Sequence, residues 1–235
     1  MRIIGLLLVV GAVAVVVPYT VLTFIFDYPD ILRQDAGVIL TRFHAGGPRL
    51  IWVWWAFGIS GLPLVGAYVL LGQRLESQWR WARLATTLGV ISGIAQIIGL
   101  LRWTFVVPVL ATTYVSAADA ATRGAIEVTF QAVHQFGGVV LGEHIGQLLT
   151  IAWTVMMAAA FAKLRLLPQW VSVLGYVASA IYLLAQAELF ASVIPSLPVW
   201  GAAGLIGSTL WLVWLIVVGV GFLRRDEGQP ATRTA

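Results

Sequence analysis

Residues 84–110 read LATTLGVISGIAQIIGLLRWTFVVPVL, a long apolar run interrupted by a single charge, Arg102. A helix needs about 20 residues to cross the roughly 30 Å hydrocarbon core of a bilayer, and this stretch exceeds that length. A barrel strand is excluded, because such strands are short and alternate apolar with polar side chains. In lipid each backbone N–H and C=O needs a partner within the protein, which leaves the α-helix. A guanidinium at the centre of such a helix costs about 2.5–3.5 kcal/mol on insertion scales, so it persists where it has a partner or a wet cavity.

Working outward, five further stretches reach spanning length, giving spans at about 3–26, 50–72, 84–110, 139–162, 169–190 and 200–222. Composition agrees, with 60% hydrophobic and 10% charged residues and a mean hydropathy of +0.93. A soluble domain carries about 25% charged residues to cover its surface. The sequence therefore predicts an all-α polytopic bundle of six transmembrane helices, with the lipid bilayer as its solvent. Ala12-Val13-Ala14 resembles a signal-peptide cleavage site, but the apolar run continues past Pro18 to Phe26. That is longer than a signal core of about 7–15 residues, so a retained first span is expected. Pro18, Pro63 and Pro108 are expected to kink or end their helices.

The arginines and lysines set an orientation. With the N-terminus inside, Arg2, Arg74, Arg80, Arg83, Lys163, Arg165, Arg224, Arg225 and Arg233 are cytoplasmic, and Arg33, Arg42, Arg49 and Arg123 are external. This bias predicts a multi-pass inner-membrane protein with both termini cytoplasmic. Residues 224–235 are polar and read as a disordered cytoplasmic tail. Tryptophans 52, 54, 55, 79, 81, 170 and 200 fall near span ends and are expected to anchor at the interface. The basic residues are scattered rather than clustered, which argues against a nucleic-acid partner despite the net charge of +4. The absence of cysteine excludes thiol catalysis, disulfides and thiolate metal sites.

Two long external connections carry helical patterns, and each is expected to form an amphipathic helix on the outer face. The first, about 28–45, starts at Asp27 and Pro29, repeats Leu32, Ala36, Ile39 and Phe43, and stops at Gly46-Gly47-Pro48. The second, about 117–136, opens on a capping-box pattern at Ser116 and Asp119. It carries a stripe of Ile126, Phe130 and Val133 and stops at Gly137-Gly138. The order span, amphipathic helix, Gly-Gly, span thus occurs twice, at 3–72 and 84–162. Such units are parallel rather than inverted, which counts against a transporter.

The chemistry-bearing residues gather toward the outer side: Arg102, Glu143, His144, Gln147, Glu188, His134 and His44. Glu143 and Gln147 share a helix face at i, i+4, and Arg102 and Glu143 lie at depths that long side chains can bridge. Gly138, Gly142 and Gly146 open that face to close packing, with Gly89 and Gly93 as the expected counterparts. This group reads either as a polar pocket or as an ion pair that only fixes helix packing. Glu127, Gln131 and His134 line one face of the second external helix, either capping the pocket or facing solvent. Three histidines and Glu143 do not form a tight metal motif such as HExxH, so no metal and no cofactor is assigned. Two outer carboxylates suit acid/base work on a lipid, but a glutamate beside an arginine is a poor general acid.

Tyr28-Pro29-Asp30-Ile31-Leu32, the turn from Arg42-Phe43 to Gly46-Gly47-Pro48, and Leu101-Arg102-Trp103 carry a resemblance. So do Leu141-Gly142-Glu143, Leu167-Pro168-Gln169-Trp170 and Trp211-Leu212-Val213-Trp214. Together they resemble a bacterial family of six-helix integral membrane proteins catalogued only as a domain of unknown function. The resemblance implies a six-span helical fold and supplies no catalytic or binding residues. Three functions remain open at this point. One is binding of a small amphipathic or lipid-like ligand in an outward-facing pocket. The others are an accessory subunit that docks a membrane protein partner or a second copy, and an enzyme acting on isoprenoid or acyl chains.

Overall fold

The computed structural model describes residues 1–224, so the expected tail lies outside the described residues beyond Arg224. Ten α-helices follow one another: α1 (Arg2–Phe26), α2 (Ala36–Ile59), α3 (Leu62–Leu75), α4 (Ala82–Phe105), α5 (Val107–Ser116), α6 (Ala120–Val133), α7 (Gly146–Lys163), α8 (Gln169–Leu184), α9 (Gln186–Ala191) and α10 (Ala203–Arg224). A short 3-10 turn at Asp30–Arg33 precedes α2, and a π-helix at His134–Ile145 joins α6 to α7. No strand occurs among the described residues. Among the described residues, six helical stretches are long and apolar enough to cross a membrane. Apolar side chains such as Phe24 and Phe105 stand 84% and 66% exposed, a state that lipid tolerates and water penalises. The protein is a multi-pass membrane protein whose environment is a bilayer.

Prolines and glycines set the breaks. Pro63 and Pro108 each follow a break and sit in the first turn of a new helix, where their missing N–H is not needed. Pro18 lies inside α1. Gly47 adopts φ 57°, ψ −157° inside α2, a conformation open to glycine, and Pro48 starts the helix again. The helix before that break begins at Ala36 rather than near residue 28, and it buries Ala36, Ile39, Leu40 and Phe43 on one stripe.

Two expectations about the second connection are corrected. Ser116 ends α5 and bonds back to the Thr112 carbonyl, while Asp119 itself caps α6 by accepting from the Thr122 N–H at 2.8 Å. Gly137-Gly138 does not stop a helix either: the chain passes through it as a π-helix of 12 residues. Without a proline, glycines leave every N–H in place, and a chain surrounded by lipid has no water to replace a broken backbone bond.

The chain forms two compact units by its internal contacts. One comprises, among the described residues, Met1–Ala12, Pro63–Val90 and the chain from Ile151 to Arg224. Its core is aromatic: Trp153 lies 4.0 Å from Tyr68 and 5.8 Å from Trp214, and Phe161 stacks on Trp214. Gly175 lets α8 close on the Trp214 indole, whose N–H donates to the Val171 carbonyl at 2.9 Å. Trp211 donates to Thr154 Oγ1 at 3.0 Å.

The other unit comprises Val13–Leu62 and Ile91–Thr150. At its centre Trp54 and Trp103 stack with centroids 4.7 Å apart and planes 12° apart. Phe26 meets both edge-on, and Phe43 stacks on Trp103 at 5.7 Å. Trp54 and Trp79, expected as interfacial anchors, are buried, whereas Trp52, Trp55, Trp81, Trp170 and Trp200 are exposed. Within this unit α4 runs antiparallel to the π-helix and the start of α7. Gly99 meets Gly142, Gln96 packs on Gly146, and Arg102 packs on Gly138. The counterpart of the glycine ridge is therefore Gly99 rather than Gly89, which instead packs on Trp153 and Tyr68.

A Cβ on Gly99 would stand 2.8 Å from the Gly137 carbonyl oxygen and from Gly142 Cα, both rigid backbone. Gly99→Val should therefore destabilise the protein by about 1–3 kcal/mol. Gly61→Ala, which meets only the Ile97 side chain at 3.7 Å, serves as the matched control in thermal unfolding followed by circular dichroism. A second expectation concerns pH. The Thr122 N–H, then its hydroxyl, hold the Asp119 carboxyl below the ordinary carboxylate range of about 4. The cap is thus intact above that range and is lost as pH falls through the lowered value. The protection of the Thr122 and Arg123 amides, relative to their intrinsic exchange rates at each pH, should fall on acidification below that point, and Asp119→Ala should remove the dependence.

Candidate functional site

Arg102 occupies the last turn of α4, and its side chain turns back along the helix to donate from Nη1 to the Gly99 carbonyl. The residue is 8% exposed. It fits because Gly138 has no side chain: a Cβ there would stand 2.5 Å from Nη2 and 2.7 Å from Cζ. Gly137 lies against the aliphatic stem, 3.4 Å from Cδ by the same test. The guanidinium carbon is 5.3 Å from the centroid of the adjacent Trp103 ring, a cation–π distance.

His134 opens the π-helix and approaches from the other side. Its Nδ1 is 3.5 Å from Arg102 Nη2, the long limit of a hydrogen bond. The imidazole stacks on Phe130 at 5.5 Å and meets Trp103 edge-on at 6.0 Å. Glu143 and Tyr28 act on the Arg102 charge electrostatically. The arrangement sets a cation and a histidine against the Trp103 indole, and it can present N–H donors to an acceptor-bearing group. Three buried polar atoms of this unit have no hydrogen-bond partner: Arg102 Nε, Trp54 Nε1 and Thr104 Oγ1.

The remaining sequence-derived residues distribute as follows. His144 lies in the π-helix and Gln147 in the first turn of α7; both are half-buried and, like Glu143, engage partners. Glu188 sits in α9 of the other unit. His44 is exposed on α2. A cavity of about 610 Å³ belongs to the same unit as Arg102 but is lined by other residues, among them Asp35, Arg42, Tyr114, Glu127 and Gln131. The sequence expects Glu127 and Gln131 to cap the Arg102 pocket or to face solvent, whereas here both line this separate cavity.

A polar cluster without charge escaped the sequence reading. Ser92 and Thr150 hydroxyls lie 2.6 Å apart across α4 and α7, and Ser92 also donates to the Gly146 carbonyl at 2.8 Å. Gln96 Nε2 donates to Ser92 Oγ at 3.1 Å and to Thr150 Oγ1 at 3.0 Å. The available signal was polar residues at i, i+4 on span three facing glycine and threonine at i, i+4 on span four. A double-mutant cycle of Ser92→Ala with Thr150→Val, read by unfolding in bicelles, should give a coupling of about 0.6–1.7 kcal/mol.

No curated protein and no solved structure matches the chain. A family profile does, over residues 3–219, which takes in both units and every residue of the Arg102 cluster. The chain belongs to the family described as Domain of unknown function (DUF4386).

Proposed function

We propose that this protein is a cell-membrane protein, with both termini cytoplasmic, that binds a small amphipathic or lipid-like ligand at the Arg102 cluster. Arg102, His134, Glu143, His144 and Gln147 form the polar end of the site, and the indoles of Trp54 and Trp103 form its apolar wall. The observation that carries this reading is the pair of buried donors of fixed direction without partners, Arg102 Nε and Trp54 Nε1. Leaving a buried donor unmade costs about 1–3 kcal/mol. An anionic or carbonyl oxygen of a ligand would recover that energy at the guanidinium, where hydrogen bonds are charge-assisted.

One observation favours a second reading. Gly138 leaves no gap against the guanidinium, as expected if Arg102 only locks α4 against the π-helix within an accessory subunit. Native mass spectrometry of the protein released from its own membrane separates the two. Under the first reading wild type carries an acidic amphiphile, and Arg102→Gln lowers its occupancy by about tenfold or more, the worth of one charge-assisted hydrogen bond. Arg102→Lys keeps the charge without the planar fork and should fall between them. A wild-type protein with no bound amphiphile but a stoichiometric protein partner, or equal occupancy in folded Arg102→Gln, decides for the second.

A further inference from the structure

The cavity of about 610 Å³ is a feature that the Arg102 cluster does not use. Its size falls among small-molecule pockets, about 300–1,000 Å³, and is far too large for a bare ion. Its wall carries both signs of charge. Asp35 and Glu127 supply carboxylates, and Arg42 supplies a guanidinium whose Nη1 stands 3.5 Å from the Asp27 carboxylate. Tyr114 donates to Glu127 Oε1 at 2.8 Å and so holds that carboxylate at the cavity wall. Gly37 makes the arrangement possible, since a Cβ there would overlap the Tyr114 hydroxyl and crowd Glu127. The first turn of α2 lines the same cavity, and although Asp35 holds the N-cap position, its side chain makes no capping bond. A helix start without a side-chain cap favours a negative group, and Arg42 adds to that preference. Glu127 and the face of Tyr114 favour an ammonium.

Helix length places this cavity relative to the bilayer. The apolar stretch 50–72 that follows the break at Gly47 has 23 residues, about 35 Å at 1.5 Å each, enough by itself to cross the hydrocarbon. The segment before that break is therefore not needed for the crossing, and we place it at headgroup level. We propose that this cavity holds a zwitterionic ammonium–phosphate group of the phosphoethanolamine type, with the phosphate on the α2 start and Arg42 and the ammonium on Glu127 and Tyr114. The proposal stands on the cavity and is independent of the reading of Arg102. The shared chemistry has two sources, a lipid headgroup or the free phosphoethanolamine ion.

The test uses the full chain in nanodiscs of equal phosphatidylethanolamine and phosphatidylglycerol, with retained lipid counted by native mass spectrometry. Free phosphoethanolamine is titrated calorimetrically into the detergent-purified chain in parallel. Wild type should retain phosphatidylethanolamine over phosphatidylglycerol by about threefold, the size of one exposed charge or cation–π contact. Glu127→Gln should bring that ratio to one, and Glu127→Asp should restore part of it. Binding of the free ion identifies headgroup chemistry alone as sufficient; enrichment without it identifies the lipid as the occupant. Either result supports the proposal. Equal retention of the two lipids by wild type with no heat from the free ion overturns it, and so does an unchanged ratio in Glu127→Gln. Should that variant fail to fold, the wild-type ratio and titration still decide.

Discussion

A guanidinium inside an apolar bundle must be surrounded without being crowded, and the second unit is organised around that requirement. Arg102 bends back to the Gly99 carbonyl of its own helix, which supplies one acceptor without outside help. The rest of the charge needs a neighbour whose backbone comes close, and only a residue without Cβ permits that approach at Gly138. Two glycines in sequence would weaken an ordinary helix in water by about 1 kcal/mol each. Here they sit in a π-helix that keeps the backbone bonded while its surface admits the side chain. π-Helical turns are usually single and frequently mark functional sites, so a 12-residue stretch that carries Gly137, Gly138 and Gly142 against α4 is notable for its length.

The aromatic core follows from the same constraint. Trp103 adjoins Arg102 in sequence, so fixing the guanidinium also fixes the indole, which then serves as a hub for Trp54, Phe26, Phe43 and Phe130. Edge-to-face and offset stacking add about 0.5–1.5 kcal/mol per pair beyond area burial. That geometric term matters more in lipid than in water, because lipid tails offer no hydrophobic gain for bringing helices together. The helices on either side of Gly47 both contribute to this core, Phe43 before the break and Trp54 after it.

The six spans were legible because apolar length is a one-dimensional property, and the family resemblance drawn from short motifs holds over nearly the whole chain. The breaks were legible where proline took part, as at Gly46-Gly47-Pro48 and Pro108, since a missing N–H is local. Gly137-Gly138 misled because glycine pairs end helices where water can take over the exposed backbone. Trp54 misled in the same manner: its place in the sequence is that of an interfacial anchor, but its face of α2 turns inward between exposed Trp52 and Trp55. Register was not legible at all. Gly89, Gly93 and Gly99 are equivalent by composition, and only three-dimensional packing selects Gly99 as the partner of Gly142. The Ser92–Gln96–Thr150 cluster carries no charge and so gives no signal by charge, whereas in lipid neutral hydroxyls and amides also need partners.

The two units handle their buried polar groups differently. In the first unit Trp214 finds the Val171 carbonyl and Trp211 finds Thr154, so both indoles are satisfied within the packing. In the second unit the Trp54 indole, the Arg102 Nε and the Thr104 hydroxyl are left without partners, next to a histidine held at the limit of hydrogen bonding. Ser172 and Ser179 in the first unit are also unpartnered, but a serine or threonine hydroxyl in a helix, Thr104 in α4 included, can rotate to its own i−4 carbonyl at little cost. An arginine Nε and an indole N–H have no such local escape, since their directions are set by the plane of the group. Unmet donors of fixed direction are costly to maintain in a lipid-embedded core, and Arg102 Nε and Trp54 Nε1 in the second unit are of that kind.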